Sequence, residues 1–141
     1  MTIKKFDIND TDRTYNFADL VEIIARLRAP GGCPWDMEQT HESMKECLLE
    51  EAGEVIEAID NKDDVNFCEE LGDLLLQVVM HAQIAAEEGR FTMDDVIQGI
   101  STKMIRRHPH VFGDVKVNSV EEGLDLWKQI KANEKAINKQ L

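Results

Sequence analysis

The architecture of this chain follows from one stretch, LLEEAGEVIEAIDNKDDVNFCEELGDLLLQVVMH, residues 48–81. Apolar residues recur in it every three or four positions, which predicts two helices joined by the polar turn DNKDD. Four acids interrupt the apolar pattern in two pairs, Glu51 with Glu54 and Glu70 with Asp73. The members of each pair are three residues apart and therefore share one helix face.

A rotation of about 100° per residue places both acid pairs at one edge of an apolar stripe on their helix. The first helix has a stripe of Leu48, Ala52, Val55 and Ile59, with Met44 and Ile56 at its margins. The second helix has a stripe of Phe67, Leu71, Leu74, Val78 and Ala85. Apolar residues also cover the other faces of the second helix, so we expect it to be central and to leave Asp73 few routes to water. An antiparallel pair of these helices would bring the four carboxylates together.

A buried ionised carboxylate is costly unless it is paired or bound to a metal. The two helices contain only Lys45 and Lys62 as bases, and neither is placed to neutralise four acids. An external cation is therefore expected, and carboxylate ligands favour Mg²⁺, with Mn²⁺ as a possible substitute. A di-iron site would require Glu-x-x-His on two helices, and His81 lies too far along to complete one, so it is interpreted as a core or supporting residue. A helical scaffold whose acids are merely solvated remains the alternative.

The chain is predicted to be all-α, a bundle of about five helices around the central antiparallel pair. The helices are predicted after Asn16, over about 40–60 and 65–88, from Thr92 to a point before Pro109, and from the capping box SVEE (119–122) towards residue 138. PGGCPWD (30–36) is predicted to be a loop, because prolines and glycines break regular structure, and HVFGDVKV (110–117) is a candidate for a short extended piece. Residues 1–14 are predicted to form a loose N-terminal segment, and residues 15–141 a single domain.

Charge is the unusual feature of the composition, since 28 acids against 16 bases give a net charge of −12. An acidic protein is a poor partner for a nucleic-acid polymer or an anionic membrane, because both bind basic faces. The three cysteines have no metal-ligand spacing and predict reduced thiols in a cytoplasmic protein. No apolar run approaches the roughly 18 residues needed to span a bilayer.

Two glycines, Gly53 and Gly72, each precede the second acid of a pair. Glycine inside a helix costs about 1 kcal/mol relative to alanine, so a compensating contact is expected. The close approach of another helix would provide it. A homodimer, or a dimer of dimers, is expected to supply that helix.

Longer strings then identify a family. EEAGE (50–54) and ELGD (70–73) match the EExxE and ExxD motifs of the all-α nucleotide pyrophosphohydrolases, and GGCPWDMEQTHESM, EELGDLLLQVVMHAQIA and RRHPHVFGD resemble the MazG branch of that superfamily. The resemblance covers residues 17–135 and differs from the longer MazG proteins in having one such domain instead of two in tandem. It implies Mg²⁺-dependent hydrolysis of nucleoside triphosphates to a monophosphate and pyrophosphate.

Carried over to this sequence, the resemblance implies that Glu51, Glu54, Glu70 and Asp73 are the metal ligands. Glu50 is the remaining acid of the motif. It faces outwards in the helical rotation, so it is expected to have a weaker catalytic role, in orienting water or holding a second metal.

The resemblance also implies basic and aromatic substrate contacts. Lys103 and Arg107 in KMIRRHPH resemble the phosphate-binding pair of the family, and they would take up charge on the leaving pyrophosphate. Trp127 and Lys131 in WKQIKANEK resemble its base-stacking and phosphate-contacting pair. Each pair has a plainer alternative, because a base at a helix C-terminus favours the helix dipole and a tryptophan can simply belong to the core.

Trp35 and Asp36 lie before the acidic helix and either close the substrate pocket or anchor their own segment. The base preference does not follow from the sequence, since relatives include broad enzymes and others that prefer dUTP, dCTP or phosphoribosyl-ATP. The MazG strings favour a house-cleaning role against non-canonical or surplus nucleotides. A narrow-specificity enzyme and a catalytically weak, nucleotide-sensing regulatory protein are the alternatives.

Overall fold

The computed structural model describes residues 5–140, with side chains described as far as residue 137. Within this range the chain forms seven helices and no strand, which confirms the all-α prediction. The helices are α1 (Phe17–Arg28), α2 (Pro34–Glu38), α3 (Lys45–Asp60), α4 (Asp64–Glu87), α5 (Met93–Arg107), α6 (Pro109–Phe112) and α7 (Val120–Gln140). The number exceeds the expected five because α2 and α6 are additional short helices. Residues 1–4 of the predicted loose segment lie outside the described residues, and residues 5–16 form bends, turns and irregular backbone.

The prediction of a loop over 30–36 is wrong at its end, because α2 begins at Pro34. Proline suits the first position of a helix, where its missing N–H has no partner to lose. Arg28 stabilises this short helix, since its Nη1 donates to the carbonyl oxygens of Asp36 at 2.6 Å and Gln39 at 2.8 Å. Its Nε also donates to Glu87 at 2.8 Å, which ties α2 to the end of α4.

The prediction of an extended piece over 110–117 is also wrong in its first part, because residues 109–112 form α6. Pro109 again occupies the first turn, which explains how a proline that ends one helix can begin the next. The last long helix starts as predicted. The Ser119 hydroxyl accepts a hydrogen bond from the backbone N–H of Glu122, while the Glu122 carboxylate accepts one from the N–H of Asn118.

The hairpin of α3 and α4 is built by its three-residue turn. The N–H of Asp63 donates to the carbonyl of Ala58, and the N–H of Lys62 donates to that of Ile59, which is the Schellman pattern of helix termination. Lys62 has a left-handed backbone with φ of 54° at the position where glycine is usual. The Asp63 side chain then caps α4 by accepting from the N–H of Asn66. So short a connection forces the two helices to run antiparallel.

The core lies at the C-terminal half of α4, where it packs with α1 and the start of α3. It consists of Ile24, Met44, Val79, Met80 and Ile84. The predicted apolar stripes are only partly buried. Met44, expected at a margin, is 2% exposed, whereas Ile56 is 60% exposed, and several stripe residues are exposed with it: Leu48, Ile59, Leu71 and Val78. The N-terminal half of α4 is therefore less enclosed than the sequence suggests, and Asp73 is half-buried.

A histidine pair joins the turn before α3 to α4. The Nδ1 atoms of His41 and His81 are 2.8 Å apart, and the two rings are parallel within 4°. Burial, and then the nearby His41, lower the pKa of His81. The interpretation of His81 as a core or supporting residue stays a prediction, and the structure pairs it with a residue 40 positions away.

The chain divides into two compact units, one ending at Met93 and the other beginning at Asp94. The first unit contains the α3–α4 hairpin, and the second contains α6, α7 and all of α5 beyond its first residue. That residues 15–141 form a single domain stays a prediction, which a single cooperative unfolding transition would support. None of the described helices is both long and apolar enough to span a bilayer.

Candidate functional site

The α3–α4 hairpin brings together the four acids that the sequence singled out. One carboxylate oxygen from each of Glu51, Glu54, Glu70 and Asp73 can be chosen so that all four lie within 4.8 Å of one another. Glu54 is exposed and the other three are half-buried. Each helix contributes one pair because residues three apart share a face, and the antiparallel hairpin turns the two faces towards each other.

Two of these carboxylates are incompletely satisfied. Oε2 of Glu51 and Oε2 of Glu70 are buried and lack a hydrogen-bond partner among the described residues. A buried polar atom without a partner is costly, so its retention calls for a compensating ligand. The pKa of Glu51 is raised, first by burial and then by the neighbouring charges of Glu54 and Asp73.

Glu70 has the most strongly raised pKa of the cluster. A side-chain hydrogen bond with Glu54, burial, and the charges of Glu54, Asp73 and Glu51 together raise the pKa of Glu70 to about 7. The raised pKa reflects the cost of crowding four carboxylates at one place, and a bound cation would relieve that repulsion.

Neither nearby lysine neutralises the cluster. Lys45 pairs instead with Glu42 at 2.7 Å, and Lys62 is exposed in the turn between the helices. Four oxygen donors with orphaned buried atoms fit a hard divalent cation. Glu50 is exposed, as the helical rotation predicts, and reaches the cluster only through its charge, which adds to the raised pKa of Glu51.

The second unit contains a pocket of about 480 Å³ that is lined mainly by residues with charged side chains. The lining residues are Lys103, Arg106, Arg107, Lys131, Glu134, Lys135 and Ile137. Five of these side chains are basic and one is acidic, so the pocket is strongly positive in a chain whose net charge is −12. Such a concentration of cations suits a phosphate-bearing ligand.

Trp127 stands beside two of the bases predicted to bind phosphate. The Lys131 Nζ lies 4.3 Å from the centre of the indole ring, and the Arg107 guanidinium carbon lies 5.8 Å from it. Trp127 is half-buried and also lines a separate pocket of about 350 Å³ with His108 and His110. The structure therefore brings Arg107, Trp127 and Lys131 together.

Sequence reasoning missed Glu134, the acid of the basic pocket. Its carboxylate accepts hydrogen bonds from Arg106 Nε at 2.7 Å and from Arg107 Nη2 at 3.0 Å. These contacts lower the pKa of Glu134 to about 2, with the Arg107 bond as the largest cause. One signal could have found it, because Trp127, Lys131 and Glu134 follow the i, i+4, i+7 spacing of one helix face.

The model of the MazG nucleotide pyrophosphohydrolase domain matches residues 39–112, which is more than half of the chain. This chain belongs to the MazG family. The match includes all four clustered acids together with Lys103 and Arg107. It ends before Trp127 and Lys131.

Individual MazG relatives extend the comparison beyond the matched segment. The chain is 56% identical, over 87% of its length, to the nucleoside triphosphate pyrophosphohydrolase/pyrophosphatase MazG of Thermotoga maritima, covering 47% of that protein. It is 50% identical, over 83% of its length, to the nucleoside triphosphate pyrophosphohydrolase of Escherichia coli (strain K12), covering 45% of it. The chain spans less than half the length of the curated relatives it matches.

A solved structure supports the MazG fold. The crystal structure of a MazG-related protein from Thermotoga maritima superposes with a TM-score of 0.68 at 33% identity, covering 82% of this chain and 98% of that one.

Trp35 and Asp36 belong to α2, outside the segment matched by the MazG model. Trp35 is 59% exposed, and its contact with substrate stays a prediction. The backbone carbonyl of Asp36 accepts the hydrogen bond from Arg28, which anchors this segment to α1.

Proposed function

We propose that the chain is a Mg²⁺-dependent nucleoside triphosphate pyrophosphohydrolase that yields a nucleoside monophosphate and pyrophosphate. The observation that carries the proposal is the convergence of four carboxylates with two buried, unpartnered oxygens in the segment that the MazG model matches. The names of the Thermotoga maritima and Escherichia coli relatives support it.

In this proposal the metal is held by the acidic cluster: Glu51, Glu54, Glu70 and Asp73. When bound, Mg²⁺ neutralises phosphate charge and lowers the pKa of a coordinated water, and Mn²⁺ is expected to substitute for it. Glu50 is exposed next to this cluster and would accept a hydrogen bond from water, the weaker role assigned to it from the sequence.

The basic pocket would bind the phosphates. Lys103, Arg107 and Lys131 are placed in or beside it, and their positive charges would stabilise the negative charge that develops on pyrophosphate as it leaves the α-phosphorus. Arginine suits this task because its planar guanidinium can donate two parallel hydrogen bonds to a phosphate.

Aromatic side chains would bind the base. Trp127 offers a ring face beside the phosphate-binding residues, and Trp35 is exposed on α2. Stacking on a ring is tolerant of base identity because every base has a π-face. This tolerance supports broad use of ribo- and deoxynucleotides, and hence the house-cleaning of non-canonical or surplus nucleotides. We assign the protein to the cytoplasm, which agrees with its three free cysteines.

A homodimer, or a dimer of dimers, belongs to the same proposal. The α3–α4 hairpin exposes large apolar side chains that a soluble monomer would normally bury. They include Leu49, Ile56, Ile59, Val65 and Leu71. A Cβ added at Gly53 or Gly72 would meet no described atom within 4 Å, so the helix expected near these glycines does not come from the described part of this chain.

Light scattering on a sizing column tests the assembly. We expect a mass of twice or four times 16.1 kDa for the wild type. Leu49→Asp should shift the mass towards the monomer, and Leu124→Asp, at an exposed apolar position of α7, should not. A monomeric wild type at micromolar concentration would contradict the proposal.

Pyrophosphate release from a panel of ribo- and deoxynucleoside triphosphates, with Mg²⁺ and with EDTA, tests the activity. We expect Mg²⁺-dependent pyrophosphate from several of the triphosphates. Release of orthophosphate would show that the enzyme cleaves a different phosphoanhydride bond from the one proposed. Turnover of dUTP, dCTP or phosphoribosyl-ATP alone would favour a narrow-specificity enzyme, and binding without turnover would favour a regulatory nucleotide sensor.

A further inference from the structure

Glu134 connects two helices of the second unit at the basic pocket. Its carboxylate lies between Arg106 and Arg107 in the last turn of α5, with N···O distances of 2.7 and 3.0 Å. The Glu134 side chain is 20% exposed and that of Arg107 is 15% exposed. Charge-assisted hydrogen bonds of this kind are stronger than neutral ones, particularly where water is partly excluded.

The hydrogen bond to Glu134 fixes the position of the Arg107 side chain, which would otherwise be flexible. A free arginine samples many rotamers, and ordering it costs conformational entropy at the moment a ligand binds. In this structure the Arg107 guanidinium is already held by Glu134, and it lies 5.8 Å from the ring of Trp127. The same carboxylate offsets part of the repulsion among the five bases that line the pocket.

We propose that Glu134 is a positioning residue that holds Arg107 in the geometry needed to bind polyphosphate. This inference rests on the proposed function, because it assumes that the basic pocket binds the phosphates of the substrate. Glu134 does not itself contact phosphate, since two anions would repel each other. It acts through Arg107, and the Arg106 contact anchors the carboxylate on its other side.

The positioning role and simple electrostatics predict opposite changes in anion affinity when Glu134 is removed. Removing an acid makes the pocket more positive, so charge alone predicts that Glu134→Ala binds an anion more tightly. Positioning predicts the opposite, because Arg107 loses the bond that orders it. The direction of the change in affinity therefore separates the two accounts.

Calorimetric titration with inorganic tripolyphosphate measures this direction without requiring turnover. For Glu134→Ala we expect Kd to rise about tenfold, which corresponds to the loss of one ordered charged hydrogen bond. Glu134→Asp should recover part of the affinity, because it restores the charge on a shorter side chain. Asp125→Ala, which removes an exposed acid of the same helix that does not line this pocket, should leave Kd unchanged or slightly lower.

A double substitution tests whether Glu134 acts through Arg107. In an Arg107→Ala background, Glu134→Ala should produce little further loss of affinity. An unchanged or lower Kd for Glu134→Ala alone would overturn the proposal, and so would a full tenfold loss in the Arg107→Ala background.

The steady-state parameters and an NMR signal exclude a purely structural role. We expect Glu134→Ala to raise KM more than it lowers kcat. In NMR spectra the Nε–H signal of Arg106 should move, because it loses its carboxylate acceptor. The amide signals should keep the dispersion of a folded protein. A wild type that binds tripolyphosphate but hydrolyses no nucleotide would contradict the proposed function and leave the Glu134 comparison valid. A wild type that hydrolyses nucleotides but does not bind tripolyphosphate would overturn the Glu134 proposal and leave the proposed function standing.

Discussion

The acidic cluster of the α3–α4 hairpin and the basic pocket of the second unit both concentrate like charges, yet they limit the resulting repulsion in different ways. No described base contributes to the pKa of Glu70 in the acidic cluster, and the Glu54 carboxyl, burial and the neighbouring charges raise that pKa to about 7. The basic pocket contains its own counter-ion, and the pKa of Glu134 is lowered to about 2.

The difference shows what each cluster is suited to bind. Carboxylates that lack an internal partner retain free oxygen ligands for an external cation, and Oε2 of Glu51 and of Glu70 have no partner among the described residues. Arg106 and Arg107 are held by Glu134 before a ligand arrives, and the five bases of the pocket keep it positive in sum. The first arrangement favours metal binding, and the second favours preorganised binding of an anion.

Asp73→Asn should produce the largest effect, because it removes a charged ligand from the acidic cluster. We expect Mg²⁺ binding to disappear in calorimetry and kcat/KM for triphosphate hydrolysis to fall by more than about 100-fold. Glu57→Gln provides a matched control, since it removes an exposed acid from α3 outside the cluster. Full activity in Asp73→Asn would refute the metal assignment.

Arg107→Ala should impair hydrolysis while leaving the acidic cluster intact. We expect kcat/KM to fall by roughly 100-fold, as for the loss of one preorganised donor to developing negative charge. Mg²⁺ affinity measured without nucleotide should stay at its wild-type value, which would separate the roles of the two clusters. Lys116→Ala is the control, because it removes an exposed base that does not line the basic pocket. Equal losses in both variants would point to a general charge effect.

Glu70→Gln should stabilise the metal-free protein. The substitution removes one of four mutually repelling carboxylates, so thermal melts in EDTA should show a higher Tm than the wild type. Added Mg²⁺ should raise the Tm of the wild type but not that of the variant. Glu69→Gln, at the exposed neighbouring position, should change neither result. A lower Tm for Glu70→Gln in EDTA would show that the repulsion is unimportant.

The smallest effect is expected from the ion pairs of Glu134 as the pH falls. Because its pKa in the folded protein is about 2, below the ordinary 4.5, its contribution to stability is fully present above about pH 4.5. That contribution is lost as the pH falls through about 2. The free energy of unfolding of Glu134→Gln should therefore lie below that of the wild type at neutral pH, and the two should converge in acid. Urea denaturation across this range measures the difference, and a gap independent of pH would contradict the assignment.

Prediction from sequence succeeded where a feature depends on local periodicity or on a helix end. The α3–α4 hairpin, the spacing of its acids and the end of α4 close to residue 88 follow from such rules. Just beyond α4, Gly89 adopts the left-handed backbone, with φ of 70°, that commonly ends a helix. Prediction from sequence did not anticipate that Leu48 and Ile59, members of the predicted apolar stripe, are exposed. A hydrophobic stripe identifies the face of a helix that avoids water, but it does not identify what covers that face.

The sequence alone determined the helical class, the two acid pairs and the family, because helix geometry and motif spacing act within a few residues of the chain. Only the tertiary structure decided how buried each acid is, and that Glu134 joins Arg106 and Arg107 from 28 and 27 residues away, respectively. The same is true of the pairing of His41 with His81. Such contacts depend on how the helices pack against one another, and no local pattern specifies this packing.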